Sequence, residues 1–239
     1  MIYPRIIAHR CGGALTPENT LAGLRLAARL GCRGVEFDAM LGADGVPVLI
    51  HDQTLERTTM GLGRVADMSS AQLTQLDAGG RHHPAFAGEP VPTLDAALRL
   101  CAALGLWANV EIKPSSGQES ETGRVVARLA AAAGGQILFS SFSPEALVAA
   151  AAEAPHVPRA LVIGTIPTDW RQRLEALGAL ALHTSARRIT EEMLREVRDA
   201  GVPLACYTVN RRDDAERLLA LGVNAVFTDR PDLWQSSEM

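Results

Sequence analysis

The chain has 239 residues, 47% of them hydrophobic and 21% charged, which is material for a sizeable core and argues against disorder. Its formal charge is −4, with a pI near 5.9, so a nucleic-acid coat or an anionic-membrane binder is not expected. Any anionic ligand must meet positive charge locally.

Nine apolar segments read as strands, near 5–9, 34–41, 46–51, 107–113, 136–141, 158–163, 180–184, 204–209 and 224–228. Most follow a junction in which an amphipathic helix ends at glycine, as at Gly31, Gly105, Gly178 and Gly222. Leu94, Ala97, Leu98 and Cys101 form one helical stripe, and Ile189, Met193 and Val197 another. Ser143-Pro144-Glu145 and Thr190-Glu191-Glu192 have the composition of helix starts. Only Gly42-Ala43-Asp44-Gly45 separates the second and third strands, so these two form a hairpin. Eight strands remain, each followed by room for a helix. The expected fold is a single-domain (β/α)₈ TIM barrel over residues 1–239, with a small inserted lobe at about 52–92, after the second barrel strand.

The four cysteines, at 11, 32, 101 and 206, show no C-x-x-C spacing and are expected to be reduced. Met1-Ile2-Tyr3-Pro4-Arg5 leads straight into a strand, without the charged and apolar regions of a secretion signal. No apolar run is long enough for a bilayer. A cytoplasmic location without membrane insertion is expected.

Polar residues collect at strand ends. The first strand ends in His9-Arg10, the second carries Glu36 and Asp38, the hairpin ends in His51-Asp52, and the 107–113 strand carries Glu111 and Lys113. Residues two apart leave the same face of a strand, which pairs Glu36 with Asp38 and Glu111 with Lys113. A hairpin turning around residues 43–44 would bring His51 nearly opposite Glu36. Three converging carboxylates call for a bound cation or raised pKa values, and all-oxygen ligation suits Mg²⁺ or Ca²⁺ over Zn²⁺. His9 and His51 then suit general acid/base work, with Arg10 and Lys113 facing an anion such as a phosphodiester. Any one of these residues alone would read as an ordinary strand-end ion pair. His82, His83 and His156 read as loop residues and His183 as a strand end, while Asn210 and Asp229 close late strands without a specific role.

Ordered motifs extend this reading. They are His9-Arg10, Pro17-Glu18-Asn19-Thr20, Glu36-Phe37-Asp38, His51-Asp52, Leu55-Glu56-Arg57-Thr58-Thr59, Leu76-Asp77-Ala78-Gly79, Asn109-Val110-Glu111-Ile112-Lys113, Ser140-Ser141-Phe142, Tyr207-Thr208-Val209-Asn210 and Thr228-Asp229. From Ile6 to about Asp232 the chain resembles the glycerophosphodiester phosphodiesterase family, above all its short bacterial cytoplasmic members. The resemblance implies one divalent cation, Mg²⁺ or Ca²⁺, on Glu36, Asp38 and Glu111. It implies His9 and His51 as general acid and base, and substrate contacts from Arg10, Lys113 and Tyr207. The implied reaction converts a small-molecule glycerophosphodiester, such as glycerophosphocholine or glycerophosphoethanolamine, to an alcohol and sn-glycerol 3-phosphate. Two departures stand out. Cys11 replaces the family's usual glycine and is expected to narrow the site or move Arg10, and Tyr207 stands where tryptophan is common. A lysolipid phosphodiesterase of phospholipase-D type and a non-catalytic phosphodiester-binding barrel are the alternatives. The motifs do not address oligomeric state.

Overall fold

The computed structural model describes residues 3–234. The strands are β1 (Ile6–Ala8), β2 (Gly34–Leu41), β3 (Pro47–Leu49), β4 (Trp107–Ile112), β5 (Ile137–Ser141), β6 (Arg159–Ile163), β7 (Ala181–Ser185), β8 (Leu204–Tyr207) and β9 (Ala225–Thr228). The helices are α1 (Leu21–Leu30), α2 (Ser70–Leu73), α3 (Leu94–Leu104), α4 (Glu119–Ala133), α5 (Pro144–Glu153), α6 (Trp170–Leu177), α7 (Glu191–Asp199) and α8 (Arg212–Ala220). All strands but β3 run parallel, and β1 pairs with both β2 and β9. The eight parallel strands therefore close into a TIM barrel, as expected.

Two layers hold it together. Alternate residues of the strands point outward against the helices, among them Val35, Phe37 and Ala39 of β2 and Ala108, Val110 and Ile112 of β4. Phe37 is fully buried there, worth roughly 1.5–3 kcal/mol relative to exposure. Inside the barrel, Tyr3, Trp107 and Phe227 fill the space left by Ala160, Ala181, Ala205 and Ala225 on β6 to β9. Helix ends follow the sequence signals. Ser143 caps α5 by accepting from the Ala146 N–H, Thr190 caps α7 by accepting from Met193, and Gly31 closes α1 at φ +88°, where a Cβ would be strained.

Between β3 and α3 lies a segment with its own apolar centre, in which Leu55, Val65, Leu73, Ala78 and Val91 pack on Met40, Val48 and Ile50 of the hairpin region. Asp44 in the hairpin turn holds it by accepting from the Ser70 N–H and hydroxyl, at 2.9 and 2.7 Å. Among the described residues no helix is long and apolar enough to cross a membrane.

Four expectations change in detail. β3 pairs Leu49 with Ala39 and Pro47 with Leu41, one residue out of the register that sets Glu36 against His51. β3 also stops at Leu49, so His51 is a loop residue and is not bound by strand alternation. Ile189, Met193 and Val197 all pack on the core as expected, but α7 starts at Glu191, so Ile189 precedes the helix, and Leu194 is buried beside Val197. His183 sits in mid-strand, with the Tyr3 hydroxyl 2.9 Å from its Nε2. Burial among apolar groups pushes its pKa down to about 3.

Candidate active site

Register assembles the carboxylates. β2 pairs with β4 so that Asp38 faces Glu111 and Glu36 faces Asn109. The residues alternating with Val35, Phe37 and Ala39 point into the barrel, so Glu36, Asp38 and Glu111 share its interior. Each offers an oxygen within 4.8 Å of the others. Glu36 and Asp38 are almost fully buried. Burial, together with the Asp38 charge, pushes Glu36 up to about 8, and burial with Asp38 also raises Glu111. Burial would raise Asp38 too, but Lys113, His51 and Arg10 outweigh it and hold Asp38 low.

Such a group is unfavourable by itself, because charges that close in low dielectric repel. Lys113 compensates part of it, with Nζ 3.4 Å from Asp38 and 3.3 Å from Glu111. Asn19 clamps Asp38 from both sides, accepting from its backbone N–H at 3.0 Å and donating to its carboxylate at 2.9 Å. The oxygen-only donors and the raised Glu36 fit a hard divalent cation.

The turn after β1 sets the next layer. Arg10 and Cys11 adopt left-handed φ values of +50° and +76°, uncommon for residues with a Cβ. That turn aims the Arg10 N–H at Glu36 Oε2, 2.8 Å away, and the Cys11 N–H at the Glu36 carbonyl, 2.7 Å away. The Cys11 side chain packs in the hydrophobic shell beneath the helices and lines neither active-site cavity. The expectation that it narrows the site is therefore corrected: its left-handed backbone turns the thiol away.

The two histidines are held differently. His9 Nδ1 lies 2.7 Å from Asp229, and its Nε2 lies 3.8 Å from Glu36. Asp229 is fixed in turn by Asn210, which donates to its carboxylate and accepts from its backbone N–H, both at 2.8 Å. Burial alone would lower the His9 pKa, but the Asp229 bond and the Glu36 charge raise it above the ordinary value. His51 Nδ1 lies 2.6 Å from Asp52. Burial, helped by Lys113 and Arg10, lowers its pKa against the pull of Asp38 and Asp52.

Arg57 ties these parts to one another. Its Nε donates to Asp52 at 2.5 Å, and its two terminal nitrogens donate to Glu18, each at 2.8 Å. Glu18 also accepts from Arg10 at 3.0 Å. One guanidinium from the segment after β3 thus braces both the His51 partner and the Arg10 side chain, with a fork that lysine cannot supply. Tyr207 lines the same space, its hydroxyl donating to the Ile163 carbonyl at 3.0 Å, which leaves its ring as a wall.

The sequence-predicted residues His9, Arg10, Glu36, Asp38, His51, Glu111, Lys113 and Tyr207 all line one cavity. Asp229, Asn210, Asp52, Glu18 and Arg57 had no assigned part, although each lies inside a quoted motif. For Asp52, Asn210 and Asp229 the available signal was position just beyond a strand end, next to a histidine or arginine, whereas Glu18 and Arg57 lie in loops and carry no such signal.

Residues 9–233 match the sequence profile described as the glycerophosphoryl diester phosphodiesterase family. A protein of Caldanaerobacter subterraneus named glycerophosphodiester phosphodiesterase is 33% identical over 232 residues, covering 95% of this chain and 94% of that protein. The structure of an Oleispira antarctica phosphodiesterase in complex with the product sn-glycerol-3-phosphate superposes with a TM-score of 0.93 at 37% identity, covering 96% of this chain and 94% of the other. A glycerophosphodiester phosphodiesterase from Agrobacterium tumefaciens superposes with a TM-score of 0.77 at 28% identity, covering 97% and 98%.

Proposed function

This chain belongs to the glycerophosphoryl diester phosphodiesterase family, and we propose that it hydrolyses glycerophosphodiesters, glycerophosphocholine and glycerophosphoethanolamine among them, to an alcohol and sn-glycerol 3-phosphate. The observation that supports this most is the meeting of Glu36, Asp38 and Glu111 with His9 and His51 on a single cavity. The Oleispira antarctica relative, which holds that product, supports the product class.

In this reading Glu36, Asp38 and Glu111 hold one Mg²⁺ or Ca²⁺ ion. When bound, such an ion draws charge from a phosphoryl oxygen and lowers the pKa of a coordinated hydroxyl or water. Arg10 and Lys113 orient the phosphate and offset its charge. Asp52 holds the His51 Nδ1 proton, so the neutral ring presents Nε2 as an acceptor for the attacking hydroxyl's proton. Asp229 and Glu36 favour the imidazolium form of His9, which keeps a proton on Nε2 for the departing alkoxide. The opposite pKa shifts of the two rings suit this division of labour. Tyr207 walls the substrate. The whole chain acts as one domain, with the segment at about 52–92 contributing Asp52 and Arg57. Four buried, unpaired cysteines are compatible with a cytoplasmic setting.

The test is to strip the purified protein with EDTA, restore Mg²⁺ or Ca²⁺, and follow sn-glycerol 3-phosphate release with a coupled dehydrogenase. Cation-dependent release is expected. Release that persists in EDTA would remove the cation from the mechanism, and no release from any glycerophosphodiester would remove the activity.

A further inference from the structure

Two cavities meet at His9, Arg10, Tyr207 and Thr208, which line both. The inner one, about 250 Å³, contains the carboxylates, Lys113 and His51 between Phe142, Val162 and Phe227. The outer one is larger, about 640 Å³. A phosphodiester centred on His9 and Arg10 would straddle the junction. The glycerol half, constant and small, suits the inner cavity, and the variable alcohol then occupies the outer one.

The outer cavity has a definite charge. Four arginines line it, Arg10, Arg57, Arg81 and Arg187, against two carboxylates, Glu18 and Asp229. Both carboxylates are already engaged, Glu18 by Arg10 and Arg57, and Asp229 by His9 and Asn210. Arg57 directs its third donor to Asp52. Arg81 and Arg187 remain. Arg81 donates Nε to the Thr59 carbonyl, and among the described residues neither arginine pairs with a carboxylate. Both are exposed, and they come from separate loops, before α3 and between β7 and α7. On a chain of net charge −4, this wall is a local reversal of sign. A cationic alcohol such as choline would find no free carboxylate there, whereas an anionic one would meet two guanidinium groups that no carboxylate neutralises among the described residues.

We infer that the outer cavity takes the leaving alcohol, and that Arg81 and Arg187 select alcohols carrying an anionic group of their own over cationic amino alcohols. This rests on the phosphodiesterase reading and specifies its substrate class.

The test compares kcat/KM for three glycerophosphodiesters, whose leaving alcohols are choline, glycerol and glycerol phosphate. The glycerol phosphate ester should exceed the choline ester by on the order of 10-fold at low ionic strength, with the gap narrowing as salt rises. Arg187→Glu is the decisive variant, because this side chain is exposed and, among the described residues, has no ion-pair partner, so the substitution is expected to leave the fold intact. It should reverse the ranking. Arg81→Gln should narrow the gap in the same direction. Equal kcat/KM for all three alcohols in the unmodified protein, or a ranking untouched by Arg187→Glu, would overturn the inference while leaving the activity standing. Absence of sn-glycerol 3-phosphate from all three would instead remove the reaction, and the selectivity with it.

Discussion

Asp229 accepts from Nδ1 of His9 at 2.7 Å across a sequence separation of 220 residues. An ionised carboxylate can only accept, so Nδ1 carries the proton and Nε2 faces the reacting groups. Asp229→Asn keeps the shape but removes the charge that raises the His9 pKa. We expect kcat/KM to fall by on the order of 10- to 10³-fold, with the alkaline limb of its pH profile moved to lower pH. A pH series on variant and parent checks this. An unmoved limb would mean that Asp229 does not govern the protonation of His9.

Arg57 predicts a different signature. Arg57→Lys retains the charge but cannot serve Asp52 and both oxygens of Glu18 together. Activity should drop by on the order of 10- to 100-fold, mostly in kcat, because His51 loses its brace. The side chain is nearly half exposed, so stability should change by less than about 1 kcal/mol. Kinetics and a thermal melt on one preparation separate the two effects.

The carboxylate group predicts how stability follows pH without a cation. Glu36 is raised in the fold, to about 8, so its favourable contribution is complete below its unfolded value and is lost as pH rises through 8. The EDTA-treated protein should therefore lose Tm progressively between about pH 5 and 9. Added Mg²⁺ or Ca²⁺ should raise Tm most at the alkaline end. At a hundredfold excess over Kd the gain is about 2.7 kcal/mol, or roughly 5–10 °C for a chain of this size. Calorimetry across that range, with and without cation, decides it.

Two glycines separate backbone strain from damage to the site. Gly13 has φ +64°, and a Cβ there would strike the backbone carbonyl group of Asp229. Gly45 has φ +73°, with open space around it. Either glycine→Ala change should cost about 1–2 kcal/mol for the left-handed conformation. Only Gly13→Ala should also displace Asp229 and depress activity well beyond its effect on Tm. Similar activities in the two variants would contradict the positioning role of the Gly13 contact.

Much of this arrangement is legible in the sequence because strand period and barrel topology convert spacing into direction. Glu36 and Asp38 are two apart in an otherwise apolar run, which places both inside the barrel, and the β2–β4 register brings Glu111 to Asp38. What escaped depends on loops. His51 lies beyond the end of β3, so strand pairing does not say where its ring points. Cys11 reads as a residue facing the site until its φ of +76° turns the thiol into the core. Arg57 looks like one more surface charge, because nothing local reveals that Glu18, 39 residues away, meets it. His183 reads as a strand end, although the strand continues to Ser185.

Closure of the barrel by β9 against β1 also orders events during biosynthesis. His9 leaves the ribosome early, and its carboxylate partner is added 220 residues later. At about 5–20 residues per second the interval is roughly 10–40 s. Until then β1 has no neighbour on that side and His9 no acceptor for Nδ1. Pairing of β1 with β9 and the seating of His9 on Asp229 therefore belong to the same late step of assembly.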